Sequence, residues 1–289
     1  MKGFDKNKKY FDHLIKSGDL SHAYLFFGPD QIGKRTFALE LADKITDSKG
    51  DFKQDVLIIS AINSDSGASI SVDDVRSILS FVSMRSFNGT SRVVIIDDAH
   101  RLTESAQNAL LKILEEPNPS SVFILVTSHP DGMASTIISR CQSVEFSVHS
   151  RSVFADALKD YKLSDEQISF LYEFTSGAIG LALQLIDKDG MKIMKSYLSD
   201  FNDLLKMKLH EKLSKAQEYA NIESTSEVIS MVLYWMRYLN ANMLERPVFS
   251  KLLRPVQNLY MLILQPQFNK QMAFEHFMID FHNNLSANV

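Results

Sequence analysis

Residues 91–146, SRVVIIDDAHRLTESAQNALLKILEEPNPSSVFILVTSHPDGMASTIISRCQSVEF, read as strand, acidic turn, helix, strand, polar loop and basic tail. Val93 to Ile96 is an apolar run too continuous for a one-sided sheet, so it predicts a strand buried on both faces. Its C-terminal end delivers Asp97 and Asp98 to the edge where open parallel α/β sheets hold their ligands. The next helix is expected to start at Thr103, a capping residue, and to stop at Pro117. Ala106, Ala109, Leu110, Ile113 and Leu114 share one helical face. Gln107, Asn108, Lys112, Glu115 and Glu116 take the other, free for a partner or a phosphate network. Val122 to Val126 forms a second strand that ends in Thr127 and Ser128 at the same sheet edge as the aspartates. A hydroxyl at Thr127 either reaches a phosphate or an attacking water, or simply caps the strand end.

Working upstream, Phe11, Leu14 and Ile15 suggest a short helix ended near Gly18, and Tyr24 to Phe27 a short strand. That strand runs into Gly28-Pro29-Asp30-Gln31-Ile32-Gly33-Lys34-Arg35 and then a helical pattern from Phe37 to Ile45. Strand, glycine loop and helix in that order is the phosphate-cradle context: glycines let backbone N–H groups close on the oxygens, and Lys34 adds a full charge. One residue departs from the pattern. A hydroxyl directly after the lysine would ligate magnesium, but Arg35 stands there and Thr36 comes one place later. One residue on a helix swings a side chain by about 100°, so Thr36 is expected to point away from the metal position. ATP or ADP is therefore expected to bind weakly if at all, with no cofactor required; the alternative is a folded turn with no ligand. Val56 to Ile59 predicts another strand, and residues 70–87 a helix with Val72, Val75, Leu79 and Val82 on one face and Asp73, Asp74 and Arg76 solvated. Alternating strands and helices across residues 22–146 call for a parallel sheet with crossover helices.

Downstream of Phe146 the strands vanish. Amphipathic segments cover Val153 to Leu158, Glu166 to Thr175 and Ala178 to Ile186, with Ser176-Gly177 as a stop and restart, and a helical block runs from Met191 to the end. Stretches such as Val228 to Leu239 and Val256 to Leu264 suit a core or an oligomer interface. At 289 residues, two or three domains are expected. A formal charge of -4 argues against wide, non-specific DNA coating, which needs clustered Lys and Arg. Cys141 is the only cysteine, so no internal disulfide and no cysteine-rich zinc site can form. The first residues lack an apolar signal region and no long apolar run follows, so neither secretion nor a membrane span is expected, and the cytoplasm is. His100 and the other histidines fall at no metal spacing and read as structural.

His22-Ala23-Tyr24-Leu25-Phe26 leading into the loop, AQNALLKILEEP at Ala106 to Pro117, and TIISRC at Thr136 to Cys141 together resemble the AAA+ clamp-loader family. The likeness covers roughly the first 185 residues. It implies a P-loop α/β domain over 1–147, a helical lid over 148–188 and an all-α collar for oligomerisation over 189–289. It also implies a degenerate nucleotide site made of Gly28, Gly33, Lys34, Thr36, Asp97, Asp98 and Thr127. Many relatives insert a four-cysteine zinc module between the loop and the acidic strand; residues 35–96 hold no cysteine.

By the same resemblance, Arg140 of the Ser139-Arg140-Cys141 signature is an arginine finger, reaching ATP held by a neighbouring subunit; read alone, it would be a surface salt bridge. Active members place glutamate where Asp98 stands, and a shortfall of about 1 Å can cost a hundredfold in rate. They also carry a lid arginine where this chain has Gly180, within Gly177-Ala178-Ile179-Gly180-Leu181-Ala182-Leu183. Three parts of the hydrolytic machine are thus altered while the in-trans arginine survives. The pattern implies a non-hydrolysing subunit that works with gamma/tau-type ATPase subunits and a delta subunit, and through them with the sliding clamp and primer-template DNA. Two other readings stay open. One is an ATP-hydrolysing AAA+ subunit, either a loader motor or a branch-migration helicase; the other is an independent DNA-binding module, which the charge balance disfavours.

Overall fold

The computed structural model describes residues 2–47, 54–61, 69–87, 91–187, 190–242, 248–265 and 268–286. They divide into two compact units. The first comprises Met1–Ala157 with Ala178–Gly180, and the second Leu158–Gly177 with Leu181–Val289. The expected lid, 148–188, is shared between them.

In the first unit, helix α1 (Asp5–Ser17) precedes strand β1 (Ala23–Phe27), helix α2 (Lys34–Ile45), β2 (Val56–Ile59), α3 (Val72–Ser83) and β3 (Arg92–Ile96). Then come α4 (Glu104–Glu115), β4 (Ser121–Thr127), the one-turn α5 (Ser135–Ile138), β5 (Gln142–Glu145) and α6 (Arg151–Leu158). The strands form one sheet in the order β2-β3-β4-β1-β5, and every pairing is parallel. Every strand therefore ends at the same edge. The expected α/β sheet with crossover helices is present, and all of β3 and β4 is buried.

Alternation along β1 explains why both faces are covered. Ala23 and Leu25 join Val94, Ile96, Phe123 and Leu125 in a core under α3 and α4. Tyr24 and Phe26 face the other way, into the rings of Phe11 and Phe37 at centroid distances of 5.0 and 5.8 Å. Each such fully buried side chain contributes about 1.5–3 kcal/mol relative to exposure.

Helix α4 starts and ends as its signals predict, with Thr103 accepting a hydrogen bond from the Ala106 N–H. Two expectations needed correction. Helix α3 is shorter than 70–87, because Ser71 and Asp74 form a capping box and Ile70 is held in a bridge to Leu102. Its buried face is Val75, Ile78 and Val82, while Leu79 is 53% exposed; the 0, 3, 7 spacing won over the 0, 3, 7, 10 stripe built on Val72. Strand β5 was not expected at all. Gln-Ser-Val-Glu lacks an apolar run because it is an edge strand, largely exposed, and only pairing with β1 reveals it.

The remaining chain is helical: α7 (Asp165–Thr175), α8 (Ile179–Ile186), α9 (Gly190–Lys206), α10 (Leu209–Ala220), α11 (Thr225–Asn242), α12 (Val248–Ile263) and α13 (Lys270–Ser286). Ser176 in the left-handed region at φ 52° ends α7 and Gly177 at φ 75° follows, the stop and restart read from the sequence. Helices α9 to α13 close around Trp235, Phe201, Tyr219, Phe274, Phe277 and Phe281. Val228 to Leu239 and Val256 to Ile263 supply core residues to that cluster.

Candidate functional site

Because the sheet is parallel, the loop after β1, the acids after β3 and the hydroxyl at the end of β4 meet at one edge, with β4 between the other two strands. Gly28 has φ 143° and a Cβ there would sit 2.0 Å from the Phe146 carbonyl oxygen, so only glycine lets the loop pass the end of β5. Gly33, at φ 105°, caps α2, which is why that helix begins at Lys34 rather than at Phe37. His149, buried, meets the Ile32 carbonyl through Nε2 at 2.8 Å and buttresses the loop from behind.

Lys34 is only 5% exposed, and its Nζ donates to the carbonyls of Gly28 at 2.7 Å and Pro29 at 2.5 Å. Burial pushes its ammonium below the usual lysine value, against the pull of Asp30, Asp97 and Asp98. Burial likewise raises the Asp97 carboxyl, with Asp98 adding to the effect and Arg35 opposing it. Arg35 reaches Asp97, Nε to Oδ2 at 3.4 Å. Thr36 is exposed one position on. Asp98 sits in the left-handed region at φ 52°. Thr127 is 1% exposed; its Oγ1 accepts the His129 N–H at 3.0 Å and meets His100 Nδ1 at 3.1 Å, so the hydroxyl has protein partners. Burial lowers the His100 pKa below the usual imidazole value, with Asp98 opposing it. The Gly180 N–H donates to the Gln31 carbonyl at 2.7 Å.

A divalent cation does not fit the residues present. The place after the lysine offers a guanidinium in place of a hydroxyl, and that guanidinium already pairs with Asp97. Among the described residues, no group of three or more His, Cys, Asp and Glu is arranged to hold a metal ion. No helix among them is long and apolar enough to cross a membrane.

Arg140 is the one candidate residue that the fold keeps apart from the rest. It precedes β5, whose Gln142 lies opposite Tyr24 near the start of β1, whereas Glu145 lies opposite Phe27 just before the loop. At about 3.3 Å per residue, the sheet separates Arg140 from its own phosphate loop by roughly 15 Å. Its Nη2 donates to Glu115 Oε1 at 2.7 Å and its Nη1 to the Thr136 carbonyl at 3.0 Å, with both side chains of the ion pair half-exposed. The sequence reading missed the contacts Arg35–Asp97, His100–Thr127, His149–Ile32 and Gly180–Gln31. Each joins residues far apart in the chain, and only the first had a local signal, the odd basic residue after the lysine.

Two Bacillus subtilis (strain 168) proteins are similar to this chain. DNA polymerase III subunit tau is 30% identical over 211 residues, 69% of this chain and 37% of that protein. DNA polymerase III subunit delta' is 30% identical over 206 residues, 65% of this chain and 62% of that protein. The chain thus spans less than two thirds of either. A DNA polymerase III gamma subunit-related protein of Thermotoga maritima has the same fold, with a TM-score of 0.58 and 22% identity, over 95% of this chain and 99% of that one. The family described as DNA polymerase III, delta subunit, matches residues 4–150. With that match across half its length, the chain belongs to this family of AAA+ clamp-loader proteins.

Proposed function

We propose that this chain is a delta-prime-type subunit of the DNA polymerase III clamp loader. It hydrolyses no ATP and supplies Arg140 in trans to ATP on a neighbouring subunit. Its partners are gamma/tau-type ATPase subunits and a delta subunit in a cytoplasmic complex that loads the sliding clamp on primer-template DNA. The observation that carries this reading is the position of Arg140 at the sheet edge opposite its own loop. An arginine there has no use for a nucleotide in the same subunit, yet its side chain is half-exposed. Its pair with Glu115 contributes only about 0–1 kcal/mol, so the guanidinium is released at little cost. A planar, permanently charged fork suits phosphoryl oxygens.

The departures at Arg35, Asp98 and Gly180 support the non-hydrolysing half of the proposal. Equal identity to a tau and a delta' subunit, with Gly28, Gly33, Lys34 and Asp97 retained, favours the second reading, an ATP-hydrolysing AAA+ subunit. Reconstitution separates the two. The isolated chain is expected to show no turnover, and Arg140→Ala is expected to lower DNA- and clamp-stimulated ATPase of the reconstituted loader by roughly 10³-fold, with assembly intact on a sizing column. Wild-type turnover in the Arg140→Ala complex, or turnover by the isolated chain, would overturn it.

A further inference from the structure

We infer that Arg35 is a tethered replacement for the divalent cation, and that this one residue makes the phosphate loop indifferent to magnesium. The inference rests on reading residues 28–35 as the family's phosphate loop, and not on the role proposed for Arg140. In a hydrolysing P-loop protein, the residue after the lysine and the aspartate at the strand end hold the metal together. Here the same two positions hold each other, Arg35 Nε to Asp97 Oδ2 at 3.4 Å. The carboxylate has its positive charge from within the chain. A divalent ion would have to displace a guanidinium that is covalently attached and always protonated, and would then sit beside it.

The rest of the loop agrees with that assignment. Lys34 donates to Gly28 and Pro29 carbonyls, so its ammonium is satisfied by loop backbone. The crest of the loop at Gln31, itself left-handed at φ 58°, accepts the Gly180 N–H at 2.7 Å. A Cβ at Gly180 would lie 2.6 Å from that same Gln31 oxygen, so the contact demands glycine at the position where the resemblance puts an arginine. Lys34 and Asp97, which would serve phosphate and metal, are thus both engaged with the protein. The charges reinforce this: Asp30, Asp97 and Asp98 act on Lys34, and Arg35 pairs with Asp97, leaving no surplus cation for a polyphosphate.

Arg35→Thr and Arg35→Ser release Asp97 and put a hydroxyl where the metal needs one, while Arg35→Lys keeps the cation. The test is the anisotropy of a fluorescent ADP analogue titrated with the intact chain, in magnesium chloride and in EDTA. The wild type and Arg35→Lys are expected to bind equally weakly in both. The two hydroxyl variants are expected to bind about tenfold more tightly with magnesium than without. Tighter binding by the wild type in magnesium would overturn the inference without any variant being needed. So would a magnesium response in Arg35→Lys, or its absence in hydroxyl variants whose circular dichroism matches the wild type. None of these outcomes touches Arg140, whose role stands or falls on turnover in the reconstituted loader.

Discussion

Among the described residues, each unit of the molecule buries one lysine, and the two surroundings differ. Lys34 lies among loop carbonyls and within reach of Asp30, Asp97 and Asp98, which favour its charge. Lys212, 1% exposed, donates to the Met207 carbonyl at 2.8 Å, meets His282 Nδ1 at 3.3 Å and lies 5.8 Å from the Phe281 ring centroid. The one acid that favours its charge is Glu211. Burial lowers both pKa values, but only one lysine sits among acids. Acids around a buried cation at a strand edge form a cluster of opposite charges. A buried cation against rings and a helix-end carbonyl is an anchor for packing.

The largest expected effect breaks the second surrounding outright. Trp235 is fully buried, stacks on Phe277 at 5.8 Å and donates its indole N–H to the Tyr197 carbonyl at 2.9 Å. Phe277 in turn touches Phe281, the ring near Lys212. Trp235→Ala is expected to cost about 3–5 kcal/mol in urea unfolding, with the cavity and the orphaned carbonyl adding to the lost burial. A cost near zero would mean that this cluster is not the core of its unit.

A smaller effect of opposite sign sharpens the comparison. The folded pKa of Lys212 lies below its unfolded value, so between the two the unfolded chain holds a proton the native state has lost. Stability therefore rises with pH across that window, and below it the cost of burying the charge is fully present. Lys212→Met removes the charge at nearly constant length and is expected to be more stable by on the order of 1 kcal/mol at pH 7. The gap should narrow as pH is raised toward the ordinary lysine value; thermal unfolding at both ends checks it. Lys34→Met should show the smallest change and the shallower pH dependence, since three aspartates already offset part of its desolvation. Equal gains at the two lysines would erase the distinction drawn between them.

How far the chain could be read before its fold was known follows the same division. Helix α4 was legible to the residue, because Thr103 and Pro117 are local signals and its apolar face repeats at the helical period. The strands β2, β3 and β4 announced themselves as apolar runs, the last two fully buried and β2 partly so. Strand β5 did not, since an exposed edge strand needs no apolar pattern and its pairing with β1 spans over a hundred residues. The stripe on α3 was misjudged by one residue, because which side of a helix meets the sheet is a property of the sheet. The candidate site was legible as residue types at strand ends, and Arg35 stood out as wrong for a metal ligand. That Arg35 pairs with Asp97, and that Thr127 is taken by His100 and His129, was not.

The sequence by itself determined the alternation of strand and helix, the loop that follows β1, the acids that follow β3 and the helical remainder, because capping, turn formation and hydrophobic periodicity are decided within a few residues. Only the tertiary structure decided that Lys34, Arg35 and Asp97 meet at one sheet edge while Arg140 lies at the other. Strand order and parallel direction set which ends come together, and those depend on contacts between residues far apart in the chain.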